Sequence, residues 1–316
     1  MTSKRFIGFL VFVGVLAGNC AASAQVDCEA LLGQFNAAIE KRSLNDAKAL
    51  ESTIATDAGC GMRLLDVQRR RSSFELLLAH EKINGGAPAL EYEALIIDAD
   101  KPDVLWRAAV ALADMRFSQR RFGDATLGYE RAIETIKNLA KTPVSPGEDT
   151  IKAVLQRAAQ SRALAANEES GSKAVFVTAA KDHRDGKIGG SMSQSIRGFK
   201  PTVVPIPVGF ETATAKFTPV GEQAARELLD VVREQSPNEV VLVGHTDERG
   251  EAEYNMRLSA QRVAAVAAFL KQNGIAAKIT TSAMGKSDPL QLANVSDLTR
   301  EDIWALNRRV VWKRTQ

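Results

Sequence analysis

One stretch of the chain, GHTDERGEAEYNMRLSAQRV (residues 244–263), combines the side chains that could do chemistry. It places His245, Asp247 and Arg249 in a loop bounded by glycines, and a helical segment that carries Arg262 follows. Three kinds of site fit these residue types: a hydrolytic metal centre, a binding site for a charged small group, and a solvated turn. The other segments of the chain discriminate among them.

Catalysis by a metal or a nucleophile finds little support in the sequence. A zinc or iron site needs at least one further ligand beside His245 and Asp247, but the other two histidines, His80 and His183, lie in different segments. The sequence has no G-x-S-x-G nucleophile motif, and its last cysteine is Cys60. We therefore expect no catalytic residue, no metal and no cofactor.

A binding site for a zwitterion fits the spacing better. Asp247 follows a continuous apolar run, EVVLVGH (239–245), at the strand end where open α/β sheets bind ligands. On the next helix, Asn255, Ser259 and Arg262 share one face, with Arg262 at the border of the apolar stripe. A carboxylate and a guanidinium held there can receive an ammonium and a carboxylate group. The spacing equally permits Asp247 to pair with Arg262 or to cap the helix.

The elements that position this site show two different patterns. Residues 29 to about 139 have helical periodicity almost throughout, and another helix is predicted over 151–169, with Arg157 and Arg162 facing solvent. Residues 181–201 are polar and rich in Gly and Ser, as in a linker. Beyond them the pattern is α/β, with strands predicted at 203–210, 239–245, 278–285 and 308–314, and helices at about 219–236, 253–273 and 299–306.

We therefore expect a multidomain protein. Its N-terminal domain is an all-α array of helical hairpins, and its C-terminal domain is an α/β (βαβαβ) sandwich. The predicted boundaries are a signal peptide at 1–24, the helical domain at 25–170, a flexible linker at 171–200 and the α/β domain at 201–316.

One helical pair, residues 104–134, resembles a tetratricopeptide repeat. The spacings of that family are matched by Leu112, Ala113, Phe122, Ala125, Tyr129 and Ala132. The segments 29–57 and 62–101 are compatible with degenerate copies, and a generic helical bundle is the alternative. Stacked hairpins of this type often bind proteins, so we expect a protein partner on this domain.

The N-terminus predicts export. Lys4 and Arg5 precede the apolar run FIGFLVFVGVLAG, and Ala22-Ser23-Ala24 offers a cleavage site. The run is short against the roughly 20 residues that span a bilayer, so a retained anchor is the weaker alternative, as is a lipoprotein at Cys20. Loss of Lys4 and Arg5 lowers the formal net charge from +3 to +1, which argues against a nucleic-acid partner.

Cleavage leaves two cysteines, Cys28 and Cys60, which we expect to form a disulfide in an oxidising compartment. Cys28 precedes one predicted helix and Cys60 follows the next, so an antiparallel pairing of the helices brings the two cysteines together. Such a clip stabilises a hairpin by roughly 2–4 kcal/mol. Two buried free thiols are the alternative.

The C-terminal motifs resemble the OmpA-like C-terminal domain family. GHTDERGEAEYNMRLSAQRV, MGKSDP and NRRV (307–310) lie at the spacings of that family, and the resemblance covers about residues 201–316. It implies a βαβαβ sandwich that holds peptidoglycan noncovalently. The implied ligand is the free amino-acid end of diaminopimelate in the stem peptide, which is a zwitterion.

Carried over residue by residue, the resemblance assigns Asp247 to the ammonium and Arg262 to the carboxylate of diaminopimelate. It also implies that Asn255 and Arg308 add polar contacts and that Thr246 supports the loop. We expect Arg309 to face away from Arg308, because neighbouring side chains on a strand point to opposite faces. Packing or rim positions are expected for His245, Arg249, Tyr254, Leu258 and Trp304.

These features together predict a periplasmic cell-wall adaptor. Its OmpA-like domain binds peptidoglycan, its helical domain docks a protein partner, and the tether keeps that partner near the wall. Association with the outer membrane is left open. The alternatives are a structural linker between outer membrane and wall that self-associates, and a wall-acting enzyme that uses the OmpA-like domain for targeting.

Overall fold

The computed structural model describes residues 27–167 and 192–314, except residues 207, 212 and 294. The predicted signal peptide and most of the predicted linker lie outside the described residues. The chain divides into two compact units, residues 1–64 and residues 65–316.

The first unit contains a helical hairpin closed by a disulfide. Its described elements are α1 (Cys28–Glu40), α2 (Leu44–Thr56) and a short 3-10 turn (Gly61–Arg63). Asp27 caps α1 by accepting a hydrogen bond from the backbone of Glu29. The predicted disulfide is confirmed, since it joins Cys28 to Cys60 with their Cα atoms 5.4 Å apart.

Five helices begin the second unit: α3 (Leu64–Asn84), α4 (Ala89–Asp100), α5 (Trp106–Ser118), α6 (Phe122–Lys137) and α7 (Glu148–Asn167). Helices α5 and α6 pack closely because Gly128 faces Ala113: a Cβ atom on Gly128 would lie 2.8 Å from Ala113 Cβ. Phe122 and Tyr129, at the predicted repeat positions, are buried. The predicted helical character of this region is confirmed.

Strands and helices alternate in the C-terminal region: β1 (Val203–Ile206), α8 (Pro219–Gln235), β2 (Glu239–His245), α9 (Ala252–Gln272), β3 (Lys278–Gly285), α10 (Arg300–Asn307) and β4 (Val310–Lys313). The strand order is β1-β4-β2-β3, with β2 parallel to β3 and the other neighbours antiparallel. Pro205 has no N–H to donate, and β1 accordingly lies at the sheet edge. The predicted α/β fold is confirmed, although β1 ends at Ile206 rather than at residue 210.

The sheet and its helices enclose a core around Trp312, Leu242 and Val266, all of which are buried. A second core joins the helical region to the sheet region. Ala305 and Leu306 of α10 lie in the same buried cluster as residues of α5, α6 and α7. None of the described helices is long and apolar enough to cross a membrane.

Ion pairs add to this second core. Arg120 donates to both carboxylate oxygens of Asp302 at 2.9 Å, and Arg162 donates to Glu227 at 3.1 Å. The expectation that Arg157 and Arg162 face solvent is therefore wrong for Arg162, which is buried against α8. Arg157 is half-buried and forms an ion pair with Asp114 of α5 at 2.8 Å. The sequence predicts separate domains on either side of a linker, whereas α3–α7 and the α/β region fall within one compact unit.

Candidate ligand-binding site

The loop that carries the predicted site leaves the C-terminal end of β2. This strand lies inside the sheet, between β4 and β3. The residues that follow it, Thr246 and Asp247, therefore emerge at the end of a buried strand. The backbone N–H of Thr246 donates to the carbonyl of Gly285 at 2.8 Å, which ties the loop to the end of β3. Gly285 has a φ of +51°, and a Cβ atom there would lie 3.1 Å from Met256 N. This position requires glycine for both reasons.

Asp247 is buried and fully hydrogen-bonded. Its Oδ1 accepts from the backbone N–H and the Nε of Arg249, both at 3.1 Å, and its Oδ2 accepts from Arg249 at 2.7 Å and from Arg308 at 3.0 Å. Burial opposes ionisation, but these hydrogen bonds outweigh it and lower the pKa of Asp247 below its ordinary value. Asp247 is therefore a carboxylate at neutral pH.

Arg262 is a buried cation. The residue is 5% exposed, its Nε donates to the carbonyl of Thr214 at 3.0 Å, and its guanidinium carbon lies 5.1 Å from the ring centre of Phe210. Among the described residues, no carboxylate forms an ion pair with it. Burial and the charge of Arg308 lower its pKa from the ordinary value. A buried charge without a counterion is costly, so the site favours an anionic group.

The other predicted site residues lie around these two. Asn255 is buried and donates to the carbonyl of Arg249 at 2.7 Å, so it supports the loop. Arg308 is the C-cap residue directly after α10. Its Nη1 donates to Asp247, and its Nη2 donates to Asn167 of α7 at 3.1 Å. Arg309 is buried, donates to the carbonyl of Asp288 at 3.0 Å and lines the same cavity as Arg308. The expectation that the two arginines lie on a strand is wrong, because β4 begins only at Val310.

Arg249 makes a contact that the sequence did not predict. Its guanidinium holds both oxygens of Asp247 and stacks 4.3 Å from the ring centre of Trp304, although its side chain is still 55% exposed. The indole N–H of Trp304 donates to Glu248 at 3.1 Å, which adds a second tie between the loop and α10. The sequence does carry a signal for the pairing of Asp247 with Arg249. An Asp side chain commonly accepts a hydrogen bond from the backbone N–H two residues later, and Arg249 lies two residues after Asp247.

His245 occupies a packing position at the end of β2. It is buried, and its Nδ1 lies 3.9 Å from Asp288. Burial, assisted by the charge of Arg309, lowers the pKa of His245 to about 4, so the ring is neutral at neutral pH. Across the residues described, no group of three or more His, Cys, Asp or Glu side chains could hold a metal ion.

A cavity of about 1580 Å³ connects these residues. Its lining includes all five predicted ligand-binding residues: Thr246, Asp247, Asn255, Arg262 and Arg308. Apolar side chains such as Phe210 and Leu258 also line it, together with one face of α7. A cavity of this composition, with a few converging polar groups, is typical of a small-ligand site.

Comparison with known proteins identifies the region. Residues 209–300 match the model of the OmpA family. The chain carries an OmpA-like C-terminal domain. The family match contains Thr246, Asp247, Asn255 and Arg262, and it ends before Arg308.

Relatives of the OmpA-like domain include the peptidoglycan-associated lipoprotein of Pseudomonas aeruginosa, which is 41% identical over 80 residues, 25% of this chain and 45% of that protein. Outer membrane protein A of Shimwellia blattae is 35% identical over 108 residues, 32% of this chain and 44% of that protein. The chain thus spans less than half the length of these curated relatives. A solved OmpA-like domain, FopA1 from Francisella tularensis, matches at 22% identity and a TM-score of 0.30, covering 35% of this chain and 70% of that one.

Proposed function

We propose that the chain binds peptidoglycan noncovalently and that its OmpA-like domain holds the free amino-acid end of diaminopimelate. One observation carries this proposal: Arg262 is buried without a carboxylate partner among the described residues and lines the same cavity as Asp247. Diaminopimelate offers the missing carboxylate. Similarity to peptidoglycan-associated lipoproteins supports peptidoglycan as the polymer that is bound.

The charges of the site favour this ligand. Asp247 accepts hydrogen bonds from the guanidiniums of Arg249 and Arg308, and Arg262 lines the same cavity without pairing with it. The ligand carboxylate binds Arg262, whose planar guanidinium can donate two parallel hydrogen bonds. The ligand ammonium binds Asp247 and replaces part of its contact with Arg249, whose side chain is the most exposed of the three.

Titration of the full exported chain with free diaminopimelate tests this assignment. We expect Arg262→Ala and Asp247→Ala each to weaken binding by about 10- to 100-fold, as expected for lost hydrogen bonds between charged groups. Arg257→Ala is the matched control, because Arg257 lies on the same helix but is exposed and pairs with Glu253. Melting temperatures report whether each variant folds.

Acetylation of both ligand amines distinguishes the contribution of Asp247, which binds the ammonium, from that of Arg262, which binds the carboxylate. We expect diaminopimelate acetylated on both of its amines to bind weakly to the wild type, because it then carries no ammonium for Asp247 to receive. Wild-type affinity in both Arg262→Ala and Asp247→Ala would refute the site assignment.

The helical region is proposed to dock a protein partner in the periplasm. Helices α3 and α4 expose the apolar side chains of Leu77, Ile83 and Leu90, which suits a protein contact. Photo-crosslinking from these three positions in intact cells tests the proposal. A heterologous partner supports the adaptor, whereas crosslinks to a second copy of the chain indicate a self-associating linker.

The binding role requires no chemical step, and we propose that the chain has no enzymatic activity. Incubation with purified sacculi tests this directly. Release of soluble fragments from the sacculi would indicate a wall-acting enzyme instead.

A further inference from the structure

The cavity of the proposed ligand site has two walls. The OmpA-like domain forms one, and α7 of the helical region forms the other through Leu155, Ala159 and Ala163. Gln160 also lines the cavity, and its buried amide nitrogen has no hydrogen-bond partner among the described residues. An unpaired buried donor of this kind is costly unless a ligand or water meets it.

Helix α7 also contacts a predicted ligand-binding residue directly. Asn167, the last residue of α7, accepts from one nitrogen of Arg308 at 3.1 Å, while the other nitrogen of Arg308 donates to Asp247 at 3.0 Å. The Arg308 guanidinium is thus held from both walls. Asn167 lies outside the part of the chain that matches the OmpA family.

Several contacts hold α7 against the OmpA-like domain. Arg162 and Glu227 form an ion pair whose side chains are only 9% and 10% exposed. Gln156 donates to the carbonyl of Gln291 at 2.6 Å. Leu164 lies in the same buried cluster as residues of α10. The second wall is therefore a packed interface with its own buried charges.

We propose that the ligand site is composite: α7 forms its second wall, Asn167 positions Arg308, and tight binding requires α7 docked on the OmpA-like domain. This inference rests on the proposed function and extends it to the helical region. The zwitterionic end of the ligand meets Asp247 and Arg262, and the rest of the stem peptide lies along α7. Displacement of α7 therefore weakens a longer ligand more than it weakens the free amino acid.

A charge swap across the buried ion pair tests the proposal. Arg162→Glu and Glu227→Arg each place two like charges together and displace α7, whereas the double variant restores an opposite pair. Calorimetric titration of the full chain uses two ligands, free diaminopimelate and the tripeptide L-alanyl-γ-D-glutamyl-diaminopimelate. We expect each single variant to lose about 10-fold or more in tripeptide affinity and less for diaminopimelate, and the double variant to regain most of it.

A milder variant covers the case in which a single charge reversal unfolds the protein. Asn167→Ala removes the hydrogen bond that Asn167, at the end of α7, accepts from Arg308. We expect both ligands to bind about 3- to 10-fold more weakly with an unchanged melting temperature. Asn138→Ala is the control, because Asn138 lies after α6 and is absent from the cavity lining.

Wild-type tripeptide affinity in Asn167→Ala and in both charge reversals would overturn the composite site. Tighter binding in these variants would also overturn it, since α7 would then cover the site rather than contribute to it. Failure of the proposed function looks different, because the wild type itself would then bind neither ligand.

Discussion

Asp247 and Arg262 line the same cavity without pairing with each other. Asp247 accepts hydrogen bonds from Arg249 and Arg308, whereas Arg262 donates to the carbonyl of Thr214. The carboxylate is therefore neutralised within the protein, and the buried guanidinium is not. This asymmetry makes the carboxylate of a ligand the group that the site needs most.

Arg249→Ala should strengthen the binding of free diaminopimelate. Arg249 occupies both oxygens of Asp247, so its removal leaves the carboxylate more available to the ligand ammonium. We expect a gain of roughly two- to fivefold, because the side chain is largely exposed and its pairing is screened by solvent. Calorimetric titration against Arg257→Ala measures the change. A loss of affinity would show that Arg249 itself contacts the ligand.

His245 should make the protein less stable as the pH falls. Its folded-state pKa is about 4 and its ordinary value is 6.5. Above pH 6.5 neither state is protonated at this ring, so the group adds no pH dependence. Below pH 6.5 the unfolded chain binds a proton that the folded chain excludes, which lowers the free energy of unfolding by about 2 kcal/mol at pH 5.

Urea unfolding at pH 7 and pH 5 measures this dependence. The difference between the two pH values should shrink in His245→Gln and persist in His80→Gln, which alters an exposed histidine on α3. An equal pH dependence in His245→Gln and the wild type would contradict the prediction.

Gly221→Ala should weaken both the fold and the ligand site. A Cβ atom on Gly221 would collide with the backbone carbonyl of Gly209, at the start of the segment whose Thr214 holds Arg262. We expect a loss of about 1–3 kcal/mol in the free energy of unfolding, which is typical of overpacking, and weaker binding of diaminopimelate. Gly123→Ala is the control, since nothing lies within 4 Å of the added methyl group. Equal stability of the two variants would argue against this close contact.

Removal of the disulfide should loosen the first unit selectively. Cys28 and Cys60 close a loop with a sequence separation of 32 residues, and loss of such a loop closure costs about 4 kcal/mol. Hydrogen exchange in Cys28→Ala/Cys60→Ala should accelerate in α1 and α2 and stay unchanged in α9. Equal protection of α1 and α2 in both proteins would show that the hairpin does not need the bond.

Local patterns predicted much of this structure. The apolar run at 239–245 predicted the central strand β2, because a strand buried on both faces needs apolar residues throughout. Helical spacing placed Asn255 and Arg262 on one face of α9, and both are buried beside one cavity. Whether they bind diaminopimelate stays a prediction.

The sequence by itself thus determined the element types, the disulfide and the loop and helix that bring Asp247 and Arg262 together, since each depends on periodicity or on spacing along a short segment. Only the tertiary structure decided that Arg249 and Arg308 pair with Asp247, and that α7 packs on the OmpA-like domain through Arg162. Those contacts depend on how side chains are oriented and on how distant segments pack. The periodicity of a single segment carries no information about either.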